Sequence, residues 1–291
     1  MMQTIVNGLL TGGVYALVAV GLTMIHGVMK IVNFAQGEFL MIGMLLTWAL
    51  YPLMGAGGSI YWMIIPVAIL MAVLGLIAYR MVFNPMIKKG GSNFVALTFG
   101  LSYFLQYLVQ LFFGADYKSI DIPGDFKTSV VKIGEVFMSK PRFIAFAFAM
   151  VFVVLVFIFL NKTDQGRAMR ATAENTTVAQ SLGINTRRSY ELAFMIGIVF
   201  AGLSGLLLSP LYFVYPRLGG LFSTTATCCI VLGGLGNITG ALLGGLIIGL
   251  VEAFTSTYMN TMLAPVAINL ILLLVLVLKP NGIMGKGARK A

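Results

Sequence analysis

Apolar stretches of about twenty residues recur along this chain, separated by short polar breaks, and that spacing predicts a bundle of membrane helices. The first four cover residues 5–26, 34–54, 60–83 and 94–113. A fifth, 143–160, carries neither a charge nor a glycine, and a sixth spans 191–213. The last covers 262–278. Pro66 falls in the first turns of the third stretch, where a missing donor costs least. Strands of a barrel would alternate apolar and polar positions in period two, which these runs do not.

Two interruptions are unlike ordinary loops. Residues 27–39 (GVMKIVNFAQGEF) form a polar break with apolar sequence on both sides. Such a break either joins two spans at the surface or lines a cavity as broken helix. Asn33, Gln36 and Glu38 make it the densest polar cluster near a membrane boundary and the first candidate for a translocation path. Further on, a half-length apolar segment (221–232) is followed by GGLGNITG (233–240) and a second apolar piece (241–254). Two short hydrophobic pieces around a glycine-rich break point to a discontinuous or re-entrant helix. Gly234, Gly236 and Asn237 therefore join the path candidates. Glycines four apart, with Gly236, Gly240 and Gly244 in one stripe and Gly245 and Gly249 in another, read as surfaces for close helix packing.

Charge then orients the chain. Residues 162–190 carry Lys162, Arg167, Arg170, Arg187 and Arg188 against Asp164 and Glu174, so this loop is expected in the cytoplasm. The 84–93 turn, with Lys88 and Lys89 close to Arg80, and the tail with Lys279, Lys286, Arg289 and Lys290 belong on the same side. Residues 55–58 (GAGG) read as another turn. Residues 114–142 are nearly balanced in charge and are expected outside, with strand-like character over 129–136. Both basic segments share a side only if 221–254 dips in and returns. That gives seven full spans plus a hairpin, about eight membrane segments in all, with the N-terminus outside. The fold class is an all-α integral membrane protein, a polytopic bundle with broken or re-entrant helices, and residues 1–291 form a single transmembrane domain. Within the basic loop, 167–181 contains no Pro or Gly and predicts one short helix, stopped by Gly183. Its small face (Ala168, Ala171, Ala179) suits a docking element, although the charge alone favours a solvated connector.

Composition narrows the classes. The chain is 59% hydrophobic and 10% charged, with mean hydropathy +0.97, far from a soluble domain. The net charge of +10 comes from basic residues at span ends, which face anionic lipid and form no nucleic-acid surface. Cys228 and Cys229 are adjacent and His26 is the sole histidine, so no metal centre and no cofactor is expected. There is no phosphate-binding loop and no nucleophile–base pair, so the chain is not expected to be an enzyme. Active transport would draw on an ion gradient or on ATP hydrolysed by another subunit. Glu38 and Glu252 are the acids nearest apolar sequence and read either as hydrogen-bonded side chains or as proton sites. An ion-coupled secondary transporter using one of them, or a passive channel, therefore stays open.

Four segments carry a resemblance: 8–44 (GLLTGGVYALVAVGLTMIHGVMKIVNFAQGEFLMIGM), 166–185 (GRAMRATAENTTVAQSLGIN), 231–252 (VLGGLGNITGALLGGLIIGLVE) and 276–285 (LVLKPNGIMG). Together, and in this order, they resemble the branched-chain amino acid ABC transporter permeases of the LivH type. The resemblance implies an importer subunit of the bacterial inner membrane that takes up leucine, isoleucine or valine. It implies a second related permease, two cytoplasmic ATP-binding subunits and a periplasmic substrate-binding protein as partners. It also assigns 162–190 as the ATPase-coupling segment, with Arg167, Arg170, Glu174, Ala179, Leu182 and Gly183 as coupling residues. The loop resembles a degenerate form of the importer coupling motif and lacks the strict Glu-Ala-Ala version. Related permeases serving urea or short amides make substrate choice the softest implication.

Overall fold

The computed structural model describes residues 1–54, 59–88, 93–120, 122, 129–133 and 136–285. The expected 55–58 turn, residues 89–92 of the basic connector, Asp121, Asp125, Lys127 and Glu135 of the excursion, and Lys286, Arg289 and Lys290 lie outside them.

Helix α1 (Met2–Met29) is apolar on all sides and is buried along most of its length, the signature of a central helix. It packs on α6 (Lys140–Lys162), α9 (Thr186–Leu208), α10 (Leu218–Gly233) and α11 (Ile238–Tyr258). Small residues bring these backbones together, because lipid supplies no hydrophobic drive for helix association. The two predicted glycine stripes face different neighbours. Gly245 and Gly249 lie against Ala16 and Gly12 of α1, whereas Gly240 and Gly244 lie against Gly233 and Cys229 of α10. Gly236 belongs to neither stripe; it sits in the turn between α10 and α11 with φ 81°.

Around this centre stand α2 (Gln36–Leu50), α3 (Ile64–Ala78), α4 (Asn84–Lys88), α5 (Phe94–Phe113) and α12 (Ala264–Leu278). Among the described residues, seven helices are long and apolar enough to cross a membrane. The fifth stretch, expected over 143–160, lengthens at both ends, and the sixth starts at Thr186 because Asn185 caps it, its Oδ1 accepting from the Arg188 amide at 3.0 Å.

Three expectations about element bounds are corrected. The second stretch, 34–54, is not one full span: α2 has 15 residues and a 3-10 turn follows it over Tyr51–Met54. The 84–93 turn is partly helical, since Ile60–Ile87 runs on as one span. A π segment over Tyr79–Phe83 precedes Pro85, and its wider turn accommodates the ring and missing N–H that would break a regular helix. Finally, 167–181 is two helices, α7 (Asp164–Glu174) and α8 (Thr176–Ser181). Asn175 separates them: its φ of −152° ends α7, and its side chain accepts from the Val178 amide at 3.1 Å to start α8.

One face of the bundle gathers the N-terminus, the excursion and the α9–α10 connection. Gln3 exchanges side-chain hydrogen bonds with the backbone of Phe137, in the hairpin of β1 (Val130–Ile133) and β2 (Val136–Ser139). Lys118 and Val214 exchange backbone hydrogen bonds of 2.9 and 2.8 Å. The opposite face, the loop face, gathers α7, α8, the α10–α11 turn and the tail. The Ile283 and Met284 amides donate to Leu232 and Gly233 carbonyls at 2.8 and 3.0 Å. The α10–α11 hairpin therefore reaches the loop face rather than dipping part-way, and its second arm is itself of span length.

Candidate translocation path and coupling loop

The polar break after α1 is an interior feature. Lys30, with φ 59°, closes α1 by donating its amide to the His26 carbonyl at 2.8 Å. The chain then turns back into the bundle, where backbone groups freed from helix need internal partners. Asn33 provides them: its Oδ1 accepts from the Ala35 amide at 3.2 Å and its Nδ2 donates to Gln36 Oε1 at 3.3 Å. Gln36 Nε2 in turn donates to the Gly197 carbonyl at 3.0 Å, about half way along α9. Asn33 and Gln36 are thus fully buried and mutually satisfied. They hold the break in place rather than face an opening.

Glu38 differs. It is 1% exposed, in the first turn of α2, and one oxygen accepts from Ser102 Oγ of α5 at 3.2 Å. Its other oxygen has no partner among the described residues. That oxygen lies where a side chain at Gly219, in the first turn of α10, would have to go. Gly37 beside it meets the Gly219 carbonyl and the Ser223 amide, and the Ser223 hydroxyl donates to the Phe34 carbonyl. Two helix N-termini thus converge on one buried carboxyl group, whose second oxygen finds no donor among the described residues. Ser102, Gly219 and Ser223 are the site residues that sequence reasoning missed. Only the Gly219–Gly220 pair hinted at them.

The other path candidates lie elsewhere. Gly234 (φ 108°) and Gly236 form the α10–α11 turn, with the Gly234 backbone against Gly285 of the tail. Asn237 caps α11 by accepting from the Gly240 amide at 3.2 Å and donates to the Met284 carbonyl at 2.9 Å. The length of α10 separates this group from Glu38, about 24 Å at ~1.5 Å per residue over 16 residues. Glu252 belongs to neither group; it lies close to the Tyr15 hydroxyl, with Tyr212 and Arg142 nearby.

The coupling candidates divide by exposure. Gly166 lies against the backbone of Phe159 and Leu160, and Met169 is fully buried, so α7 is seated on the end of α6. Ala179, expected on a free docking face, is buried instead. Gly183 has φ 79° and donates to the Gln180 carbonyl at 2.9 Å, the expected stop. Arg167 pairs with Asp164, and Arg170 Nη1 turns back to Asn161 Oδ1 of α6 at 3.0 Å. Glu174 is exposed. The outward surface is apolar at its tip: Val178 is 53% and Leu182 74% exposed, four residues apart, with Arg187 and Arg188 also exposed nearby.

Comparison with known proteins bears on what such a bundle does. Residues 4–279 match the family model described as branched-chain amino acid transport system / permease component. The chain is 34% identical to the high-affinity branched-chain amino acid transport system permease protein LivH of Salmonella typhimurium, covering 98% of this chain and 96% of that one. The corresponding protein BraD of Pseudomonas aeruginosa is 33% identical at the same coverage. A probable LivH of Methanocaldococcus jannaschii is 28% identical over 94% of this chain and 89% of its own length. No solved structure matches. With a family model covering nearly the whole chain and full-length relatives above 30% identity, this multi-pass membrane protein belongs to the permease components of branched-chain amino acid transport systems.

Proposed function

We propose that the chain is one of two related permease subunits of a binding-protein-dependent ABC importer for leucine, isoleucine and valine in a bacterial inner membrane. The observation that carries this reading is the pairing of two features on one rigid bundle. A compact, capped helix pair presents an apolar tip, Val178 and Leu182, within a basic loop on the loop face. A broken-helix crossing with a buried carboxylate occupies the bundle's centre. The positive-inside rule puts the loop face in the cytoplasm, since Lys30, Lys162, Arg167, Arg170, Arg187, Arg188 and Lys279 gather there. On that face α7 and α8 serve as the seat of an ATP-binding subunit. Val178 and Leu182 insert into its groove, Gly183 ends the element, and Arg167 and Glu174 lie at the rim.

Coupling follows from how α7 is held. Its seat on α6 and the cap of α9 by Asn185 make the loop continuous with two membrane helices. Movement imposed by the ATP-binding subunits is thereby passed to α6 and α9, and through Gln36 and the Gly197 carbonyl to the break before α2. The α2–α10 crossing is the element with two arrangements, closed here with Glu38 over Gly219. Transport requires that substrate and nucleotide bind those arrangements differently. Selectivity resides largely in the binding protein.

Purification of the tagged chain from its native membrane in mild detergent tests the assembly. Two nucleotide-binding subunits and a second multi-span protein are expected with it. Recovery of the chain alone under conditions that keep it folded contradicts the reading.

A further inference from the structure

On the loop face, α1, α6, α7, the α10–α11 turn and the tail enclose a cavity of about 760 Å³. Part of its wall is apolar, formed by Met24, Val28, Phe157, Leu160 and Leu276. Helix α6 packs on α1 and α7, whereas α12 packs on α10 and α11. Phe157 and Leu276, each lining the cavity and each exposed, leave it open sideways between these two helices.

The rest of the lining is polar and suits an anion. Helix α11, 21 residues long, starts in this cavity at Ile238, and Asn237 caps the Gly240 amide, leaving the amides of the first two residues without a helical acceptor. Arg170 lines the same space, its guanidinium held there by Asn161. None of the described lining residues is acidic. A further observation is independent of the helix end. Thr23 of α1 lines the cavity, is 1% exposed, and its hydroxyl has no partner among the described residues. Two other buried helical threonines, Thr47 and Thr172, bond the carbonyl four residues back at 2.8 Å. A buried hydroxyl without a partner carries a desolvation cost that a ligand oxygen would relieve.

An occupant must therefore combine an anionic head with an apolar body that leaves sideways into the bilayer. We propose that the cavity binds the phosphate headgroup of an anionic phospholipid from the leaflet on the loop face, with its acyl chains passing between α6 and α12. Bound there, the lipid joins α7 to α1 and to the α10–α11 turn, so the coupling loop is braced by the membrane itself. A free phosphate satisfies the polar end and leaves the wall empty. The site does not depend on the assignment of ATP-binding partners.

The test is phospholipid retention by the complex, purified in mild detergent and measured by native mass spectrometry, with phosphatidylglycerol vesicles for reloading. Wild type should keep bound anionic phospholipid through washing with inorganic phosphate. Thr23→Val, nearly isosteric, and Arg170→Gln should each lower retention at least fivefold in protein that remains monodisperse. Arg167→Gln, outside the cavity, should retain it. Equal retention in a Thr23→Val/Arg170→Gln double variant overturns the proposal. So does displacement by inorganic phosphate alone, or exclusion of the lipid when a nucleotide-binding subunit is present.

Discussion

Gly37→Leu is expected to remove nearly all folded protein from the detergent-soluble, monodisperse fraction, to below a tenth of the wild-type amount. The new side chain would enter space held by the Gly219 carbonyl and the Ser223 amide, backbone groups of α10 that cannot rotate aside. Overpacking by extra methylenes costs about 1–3 kcal/mol where side chains can yield, and here a helix must move. Its displacement would also separate the Ser223 hydroxyl from the Phe34 carbonyl and open the crossing around Glu38. Gly100→Leu is the matched control, since nothing lies within 4 Å of the added Cβ on the outer face of α5. Size-exclusion profiles of the two variants give the answer. Indistinguishable profiles would mean that α2 and α10 are not packed as described.

The second large effect is functional and leaves the fold alone. A Val178→Asp/Leu182→Asp variant changes two exposed side chains, and surface substitutions of this kind usually move stability by no more than about 0.5 kcal/mol. Interface anchors behave otherwise: truncating one costs about 2 kcal/mol or more, and a buried carboxylate in its place costs more still. Two such changes should weaken association with an ATP-binding subunit at least a hundredfold. Quantifying that subunit in detergent-purified complex, beside uptake in whole cells, measures both consequences. Normal insertion with lost partner and lost uptake is the expected result. Wild-type uptake would remove α8 from the coupling surface.

Much of the architecture was legible because membrane spans are written in long apolar runs. The 94–113 stretch matched α5 to the residue, bounded by Asn93 and by Gly114 with φ 78°. The glycine stripes were legible as packing surfaces, though not which helix each one faces, because α1 lies over two hundred positions away in sequence. What failed did so for local reasons. Neither Pro nor Gly marks the break at Asn175, whose extended backbone ends one helix and whose side chain starts the next. The 34–54 run is apolar enough for a full span. Its first residues are spent on an interior break held by Asn33 and Gln36, a choice made by contacts with α9. The same holds for Glu38: its chemistry depends on Ser102 and Gly219, and nothing within its own segment announces either. Ala179 shows the converse, since a small residue near an exposed helix end turned out to pack inward.

If ATP-binding partners drive the loop face as proposed, this chain moves branched-chain amino acids only in their company. Uptake of labelled leucine into proteoliposomes measures that directly, with the chain alone or with its second permease and ATP-binding subunits, and with binding protein on the outer side. Uptake that requires the partners, ATP at the loop face and the binding protein opposite is the result expected. Uptake by the chain alone under a proton gradient, abolished by Glu38→Gln, would contradict the account and make the buried carboxylate a proton site.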